Sequence, residues 1–203
     1  MFNSGYLTLG RWRGTLIRVH WSTPAGAWVF TGFQFLPIAW LGVFLIILVH
    51  EAGHALMARW ARAWVHSVDI DAIGGRCTWE GQATPLQRAC IAFAGVWAQL
   101  LLCAVGALLL QLPEHALGGH YGVKLIEMFI RPNLALAAFN LLPIRPLDGA
   151  EAWKFFPLLA RHLRGLIRRT SSKQKGPFRQ RQQDKLHSKG LRRPIPKEKR
   201  WLH

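Results

Sequence analysis

The stretch LGVFLIILVHEAGHALMAR, residues 41–59, places two histidines and a glutamate in an otherwise apolar run. At about 100° per residue in an α-helix, His50 and His54 project from one face a single turn apart, so both imidazoles can reach one metal ion. The pattern H-E-x-x-H is typical of zinc sites in which the glutamate, here Glu51, acts as general base on water. The stretch therefore predicts a helix that carries a zinc site.

The apolar context of this pattern strengthens the prediction. H-E-x-x-H is short and also occurs in soluble helices that bind no zinc. In this chain, residues 42–49 before the first histidine carry no charge. Two histidines and a carboxylate beside so apolar a helix are costly unless they are paired or bind a metal.

Composition points to a membrane protein. Of the 203 residues, 51% are hydrophobic, with 10 Trp and 11 Phe, which is more than the core of one soluble domain holds. Residues 21–49 carry no formal charge, and Pro37 offers a break within this run. We therefore expect an α-helical polytopic membrane protein with about four transmembrane helices, at about residues 16–36 and 38–60, at 89–112 and in a fourth apolar segment that starts with Lys124.

The segment VHSVDIDAIGGRCTWEGQ, residues 65–82, has a different pattern. Apolar residues alternate with Asp69 and Asp71, and Gly74-Gly75 supplies a turn. This alternation predicts a short β-hairpin at the membrane surface. The two aspartates are expected on its wet face rather than as metal ligands.

The segment NLLPIRPLDG, residues 140–149, offers a candidate for the third metal ligand. Its two prolines and its glycine must unwind a helix, and irregular backbone at membrane depth is tolerated only where protein or a water-filled cavity covers it. Asp148 is therefore a candidate inward-facing ligand. A catalytic zinc typically has three protein ligands and one open position, which Asp148 would complete with His50 and His54.

Charge separates the chain into parts. Residues 154–203 hold 16 of the 26 Lys and Arg but only two acidic residues. We expect a membrane-embedded core at 1–150, an interfacial amphipathic helix at 151–169 and a basic, disordered cytoplasmic tail at 170–203. Anionic lipids are a simpler partner for this tail than nucleic acid.

The distribution of arginines also predicts orientation. The N-terminal arginines, the region from Arg59 to Arg88 and the basic tail are expected in the cytoplasm, whereas the loop 113–122, which has no Lys or Arg, lies outside. The zinc site then falls near the cytoplasmic face.

With these motifs in place, the sequence resembles the site-2 protease family of intramembrane zinc metalloproteases, in particular its small bacterial, sporulation-factor-like members. HEAGH at 50–54 and NLLPIRPLDG at 140–149 occur in the family's order, each in an apolar span, and the resemblance covers about residues 10–155. The resemblance implies Zn²⁺ bound by His50, His54 and Asp148, Glu51 as catalytic base, and Asn140 and Pro146 as substrate-binding residues.

The chain departs from the family's pattern in its third span. The family usually has Gly-Pro there, with an asparagine three residues after the proline, whereas this chain has Gly95-Val96 and Gln99. Gln99 is the candidate replacement for that amide as a substrate-binding residue. An uncharged span also requires a hydrogen-bond partner for this side chain, for which a bond between helices is the simplest explanation.

The resemblance implies hydrolysis of peptide bonds in or near the transmembrane segments of membrane proteins, in a multi-pass protein of the bacterial inner membrane. The alternative is a non-proteolytic membrane adaptor of the same fold, whose basic tail binds anionic lipid, protein or nucleic acid. The complete set of Glu51 and metal ligands argues against the adaptor, because a scaffold has no need of the base. The sequence predicts no particular substrate or oligomeric state.

Overall fold

The computed structural model describes residues 2–3, 5–165 and 167. Residues up to Leu158 form one compact unit, and residues 159–165 are helical. The predicted tail at 170–203 lies outside the described residues. In chain order the elements are β1 (Phe2–Asn3), β2 (Tyr6–Trp12), β3 (Thr15–His20), α1 (Thr23–Phe30), α2 (Pro37–Trp60), β4 (Trp64–Ile70), β5 (Gly75–Glu80), α3 (Pro85–Leu109), a 3₁₀ helix (Glu114–Leu117), α4 (His120–Asn140) and α5 (Gly149–Ala152).

The strands form one sheet in the order β1-β2-β3-β4-β5. All neighbours are antiparallel except β3 and β4, which are parallel and are connected through α1 and α2. Arg13 and Gly14 turn the chain between β2 and β3 with positive φ angles of 49° and 89°, the backbone geometry of a two-residue hairpin loop. The predicted hairpin is confirmed as β4–β5, but it belongs to this larger sheet.

The predicted first span at 16–36 is wrong. Its first part is strand β3, and α1 contains eight residues, a length of about 12 Å that is too short to cross a bilayer. Charge explains the difference, because Arg18 finds a carboxylate partner across the sheet that a lipid-facing helix would not offer. The predicted break at Pro37 is confirmed, since α2 begins there.

Two helices in the described part, α2 and α3, are long and apolar enough to cross a membrane. Helix α3 begins at Pro85, ahead of the prediction, because Thr84 and Gln87 form a reciprocal capping box. Helix α4 has 21 residues but carries charged side chains in its first half. The predicted count of four spans is therefore not confirmed.

Asp69 does not lie on a wet face, as the alternation had predicted. It is 7% exposed, and its two carboxylate oxygens accept hydrogen bonds from Arg18 Nε at 2.6 Å and Nη2 at 2.7 Å. The reason is tertiary, because β4 is an inner strand between β3 and β5 and its last four residues are all buried. Asp71 is half-buried and accepts hydrogen bonds from the backbone N–H groups of Ile73 and Gly74 in the turn.

The core lies where α2 meets both the sheet and α3. Its buried residues are Ala55, Ala58, Val65, Val68 and Ile91. Just before them in α2, Gly53 faces the backbone carbonyl of Ala94 so closely that a Cβ would collide with it. Small residues let helices approach closely in this way, and the approach brings the H-E-x-x-H face of α2 against α3.

Candidate metal centre

Helix α2 carries His50, Glu51 and His54 into the interior of the protein. Their exposed fractions are 5%, 3% and 6%. The Nε2 atoms of the two histidines lie 2.9 Å apart. The helical spacing therefore brings both imidazoles to one point, as the sequence predicted.

Asp148 reaches the same point from another part of the chain. Its Oδ2 lies 2.8 Å from His50 Nε2 and 3.1 Å from His54 Nε2. Helix α4 ends at Asn140 and residues 141–148 are irregular, which confirms the predicted unwinding. The described residues thus bring together the three predicted ligands, and this is the group that could hold a metal ion.

Contacts at the two ends of the irregular loop position Asp148. The carbonyl of Leu141 accepts a hydrogen bond from Trp153 Nε1 at 2.7 Å. The same carbonyl lies so close to Gly149 that a Cβ there would collide with it. Because both ends of the loop meet at the carbonyl of Leu141, Asp148, the residue before Gly149, is held in position.

The hydrogen bonds of the two rings test whether this site fits a cation. His50 Nδ1 lies 3.0 Å from Gln99 Oε1, and His54 Nδ1 lies 2.7 Å from the carbonyl of Ile91. Both partners are acceptors, so each neutral ring carries its proton on Nδ1 and a lone pair on Nε2. Two lone pairs and a carboxylate then converge without a proton among them. Neutral imidazole nitrogen and carboxylate oxygen are ligands that suit zinc, and the set fits this ion.

Glu51 lies beside the ligand atoms but is not one of them. Its Oε2 is buried and has no hydrogen-bond partner among the described residues. Its side chain packs against β5, where a Cβ on Gly75 would collide with it. Its Oε2 therefore remains available to accept a proton.

A cavity of about 880 Å³ opens onto these residues. Residues of strand β5 and of the loop 142–148 contribute to its lining, together with residues of the helices. Asn140 and Pro146 line the cavity, and Asn140 Nδ2 lies 3.4 Å from His50 Nε2. Their roles in substrate binding stay predictions.

Gln99 has a different position from those two residues. It is 0% exposed and its side chain contacts His50, so the predicted hydrogen bond between helices is confirmed. It does not line the cavity described above. A direct contact with substrate stays a prediction for this residue.

Cys77 lines the cavity beside Glu51. Burial, followed by the nearby negative charge of Glu51, raises the pKa of its thiol to about 12. A thiol with this pKa stays protonated at neutral pH, and the thiolate is the form that attacks carbonyls or binds metals. Cys77 is therefore not a candidate nucleophile.

The sequence reading missed the role of Gly95 in the centre. A Cβ on Gly95 would meet His54 Nε2 at 2.5 Å and His50 Cε1 at 2.6 Å. A glycine within an apolar helix is the signal for such a close approach, but the sequence does not show what approaches it.

We expect Gly95→Ala to lower zinc affinity by at least about tenfold, because the added methyl group displaces the ligating imidazoles and supporting residues typically contribute 10–100-fold. The measurement is zinc bound per chain at graded chelator concentrations. Gly106→Ala is the matched control on the same helix, where the Cβ would meet the flexible end of Ile130 at 3.1 Å. Equal zinc affinity in the two variants would contradict the prediction.

The fold and the candidate centre together define a class: a mostly helical protein with helices of membrane length and a His-His-Asp group that lines a cavity and could hold a metal ion. The structure is similar to that of the Site-2 Protease from Methanocaldococcus jannaschii, with a TM-score of 0.58 and 21% sequence identity over 77% of this chain and 72% of that one. This likeness shows a shared fold.

Relatives by sequence agree with this class. "Putative zinc metalloprotease Rip3" of Mycobacterium tuberculosis is 36% identical in an alignment of length 172 that covers 71% of this chain and 42% of that protein. "Putative zinc metalloprotease sll0528" of Synechocystis is 35% identical in an alignment of length 118 that covers 55% of this chain and 29% of that protein. No family model matches the chain.

The chain spans less than half the length of these curated relatives. Within that span, the two kinds of likeness agree with each other and with the motifs. They confirm the resemblance to the site-2 protease family, and they support Zn²⁺ as the metal for the His50, His54 and Asp148 group.

Proposed function

We propose that this chain is an intramembrane zinc metalloendopeptidase that hydrolyses peptide bonds in or near the transmembrane segments of membrane proteins. The observation that carries the proposal is the convergence of His50 Nε2, His54 Nε2 and Asp148 Oδ2 within 3.1 Å of one another, beside a glutamate with a free buried oxygen. The shared fold with a site-2 protease and the names of the relatives support it.

The metal has a defined task in this proposal. His50, His54 and Asp148 would hold zinc, which when bound supplies Lewis acidity toward a peptide carbonyl and lowers the pKa of water. The three side chains are a two-nitrogen, one-oxygen set and leave a position open, as catalytic zinc sites do.

Glu51 transfers a proton from the attacking water to the leaving amine. Its free Oε2 accepts a proton from water as the water oxygen forms a bond to the peptide carbonyl carbon. The same carboxyl group then gives this proton to the departing amine nitrogen as the C–N bond breaks. Asn140 Nδ2, close to His50, donates a hydrogen bond to the carbonyl oxygen as negative charge develops there.

The cavity walls suggest how a substrate is held. A transmembrane helix hides its carbonyls in internal hydrogen bonds, so it must unwind locally before attack. In the described sheet, β5 pairs with β4 alone, and residues of β5 line the cavity together with residues of the loop 142–148. We propose that the unwound substrate adds to the free edge of β5, because an edge strand presents unpaired N–H and C=O groups.

N-methylated peptides test this edge pairing without changing the enzyme. Methylation of substrate backbone nitrogens next to the scissile bond removes the donors that pairing requires, and we expect cleavage to fall by about tenfold per bond lost. Peptides methylated several residues away serve as controls. The same cleavage rate for every methylated peptide would exclude edge addition.

The proposal also places the chain in the membrane. We propose a multi-pass protein of the bacterial inner membrane, in which α4 is a crossing in addition to α2 and α3. Arg59 and Arg62 at the end of α2 and Arg88 at the start of α3 are the basic residues expected at a cytoplasmic face. The metal centre then lies near that face.

The test is cleavage by the purified chain in proteoliposomes that contain peptides with a transmembrane segment. We expect products cut within or next to the apolar segment, complete loss of cleavage after zinc is removed with a chelator, and recovery when Zn²⁺ is returned. Mass spectrometry locates the cut bond. Cleavage confined to soluble peptides would contradict the intramembrane assignment, and a zinc-loaded chain that cleaves neither kind of peptide would favour the adaptor.

A further inference from the structure

We propose that Gln99 is the positioning residue of His50, and that Asn133 holds Gln99 in place. Two amides outside the H-E-x-x-H pattern would thus set the geometry of the metal centre from the neighbouring helices. The inference rests on the metal site of the proposed function, but it concerns binding of the ion and not proteolysis.

The contact between Gln99 and His50 determines which ring nitrogen faces Asp148. Gln99 Oε1 accepts the Nδ1 proton of His50 at 3.0 Å, which leaves the lone pair on Nε2, the atom 2.8 Å from Asp148 Oδ2. Were the NH₂ of the amide to face the ring instead, the proton would move to Nε2 and this nitrogen could no longer bind a metal. The orientation of one buried amide thus decides whether His50 is a ligand.

The two histidines are oriented from the same helix by different means. His54 Nδ1 donates to the backbone carbonyl of Ile91, and His50 Nδ1 donates to the side chain of Gln99. Ile91 and Gln99 lie about two turns apart on α3 and therefore share a face. Of the two orienting groups, the one for His50 belongs to a side chain, so a substitution can remove it.

Asn133 ties a third helix to this position. It is 1% exposed, and its Nδ2 donates to the backbone carbonyl of Gln99 at 2.9 Å and lies 3.1 Å from Cys103 Sγ. This bond joins α4 to α3 at the residue that holds His50. Two hydrogen bonds therefore connect Asn133 to Gln99 and Gln99 to His50 of the metal centre.

The unsatisfied polar atoms of Gln99 and Asn133 indicate a role for these side chains beyond packing. Gln99 Nε2 and Asn133 Oδ1 are buried and have no hydrogen-bond partner among the described residues. A partly satisfied buried network is less stable than an apolar core of the same shape. Packing alone does not require polar side chains at these positions, and orientation of His50 accounts for the amides.

The test is the affinity of the metal-depleted, full-length chain for Zn²⁺, measured by competition with a chelator. We expect Gln99→Leu to lower this affinity by about 10–100-fold, the usual loss for a partner of a metal-bound histidine. Gln99→Glu keeps an acceptor in place and should stay within about threefold of wild type, because carboxylates commonly fill this role. Gln111→Leu, at an exposed glutamine beyond the end of α3, is the matched control and should bind zinc like wild type.

Thermal unfolding of the metal-free variants separates positioning from folding. Leucine at position 99 removes the unsatisfied Nε2 of the amide but also leaves the buried Nδ1–H of His50 without its acceptor, so we expect the metal-free Gln99→Leu variant to unfold cooperatively and only a few degrees below the wild-type temperature. Wild-type zinc affinity in Gln99→Leu, or an equal loss in Gln99→Glu, would overturn the proposal. A chain that binds zinc in this pattern but cleaves nothing would contradict the proposed function and leave this inference supported.

Asn133→Ala tests whether Asn133 holds Gln99 in place. If Asn133 acts through Gln99, this substitution lowers zinc affinity in the wild-type background and adds no further loss to Gln99→Leu. An equal loss in both backgrounds would show that Asn133 acts independently of Gln99 and would overturn its part in the proposal.

Discussion

Glu51→Gln is expected to lower the rate of peptide cleavage by about 10²–10⁴-fold, the usual contribution of a general base. The amide has nearly the same shape as the carboxylate, but it does not accept a proton from water. Zinc binding should be retained at about one ion per chain, because Glu51 lies outside the ligand group. Initial cleavage rates in proteoliposomes and elemental analysis of the same preparation provide the two measurements.

Glu114→Gln is the matched control for this substitution. Glu114 is an exposed glutamate in the 3₁₀ helix before α4 and does not line the cavity. Unchanged cleavage by Glu51→Gln would remove Glu51 from its role as base. Loss of zinc together with cleavage would instead make Glu51 a ligand.

Asp148→Ala is expected to lower zinc affinity by more than about 100-fold, since loss of a ligand costs more than loss of a supporting partner. The substitution removes the negative charge of the ligand set and leaves two imidazoles whose Nε2 atoms lie 2.9 Å apart. Cleavage should disappear with the metal. Zinc per chain after dialysis measures the effect without any substrate.

Asp71→Ala provides the comparison for zinc retention. Asp71 also lines the cavity, but its carboxylate accepts hydrogen bonds from backbone N–H groups of a turn and does not contact the histidines. The Asp71→Ala variant should therefore retain zinc. Retention of zinc by Asp148→Ala would move the third ligand to another residue and would contradict the His-His-Asp centre.

Local patterns predicted much of the centre. His50 and His54 share a face because helical geometry depends only on their spacing. The break at Pro37 and the unwinding after Asn140 follow from proline, which lacks the N–H that a helix interior needs. These features required no knowledge of distant contacts.

Sequence patterns predicted the structure less well where a residue has its partner far along the chain. The segment at 16–36 was predicted to be a span because residues 21–49 carry no formal charge and Pro37 offers a break, whereas its first part is a strand in which Arg18 pairs with Asp69. Asp69 was placed on a wet face because alternation predicts one solvated side, but an inner strand can be buried on both sides. Neither error is visible from the residues on either side of these positions.

By itself, the sequence determined which groups are available to the centre: two imidazoles and a carboxylate on one helix, and an aspartate on an unwound segment. Tertiary structure decided how those groups meet. It placed Asp148 Oδ2 2.8 Å from His50, set Gln99 against the far nitrogen of that ring, and brought β5 against Glu51. The physical reason is that spacing along a helix specifies only contacts within a turn or two, whereas packing between helices and strands specifies the hydrogen-bond partner of each buried polar group.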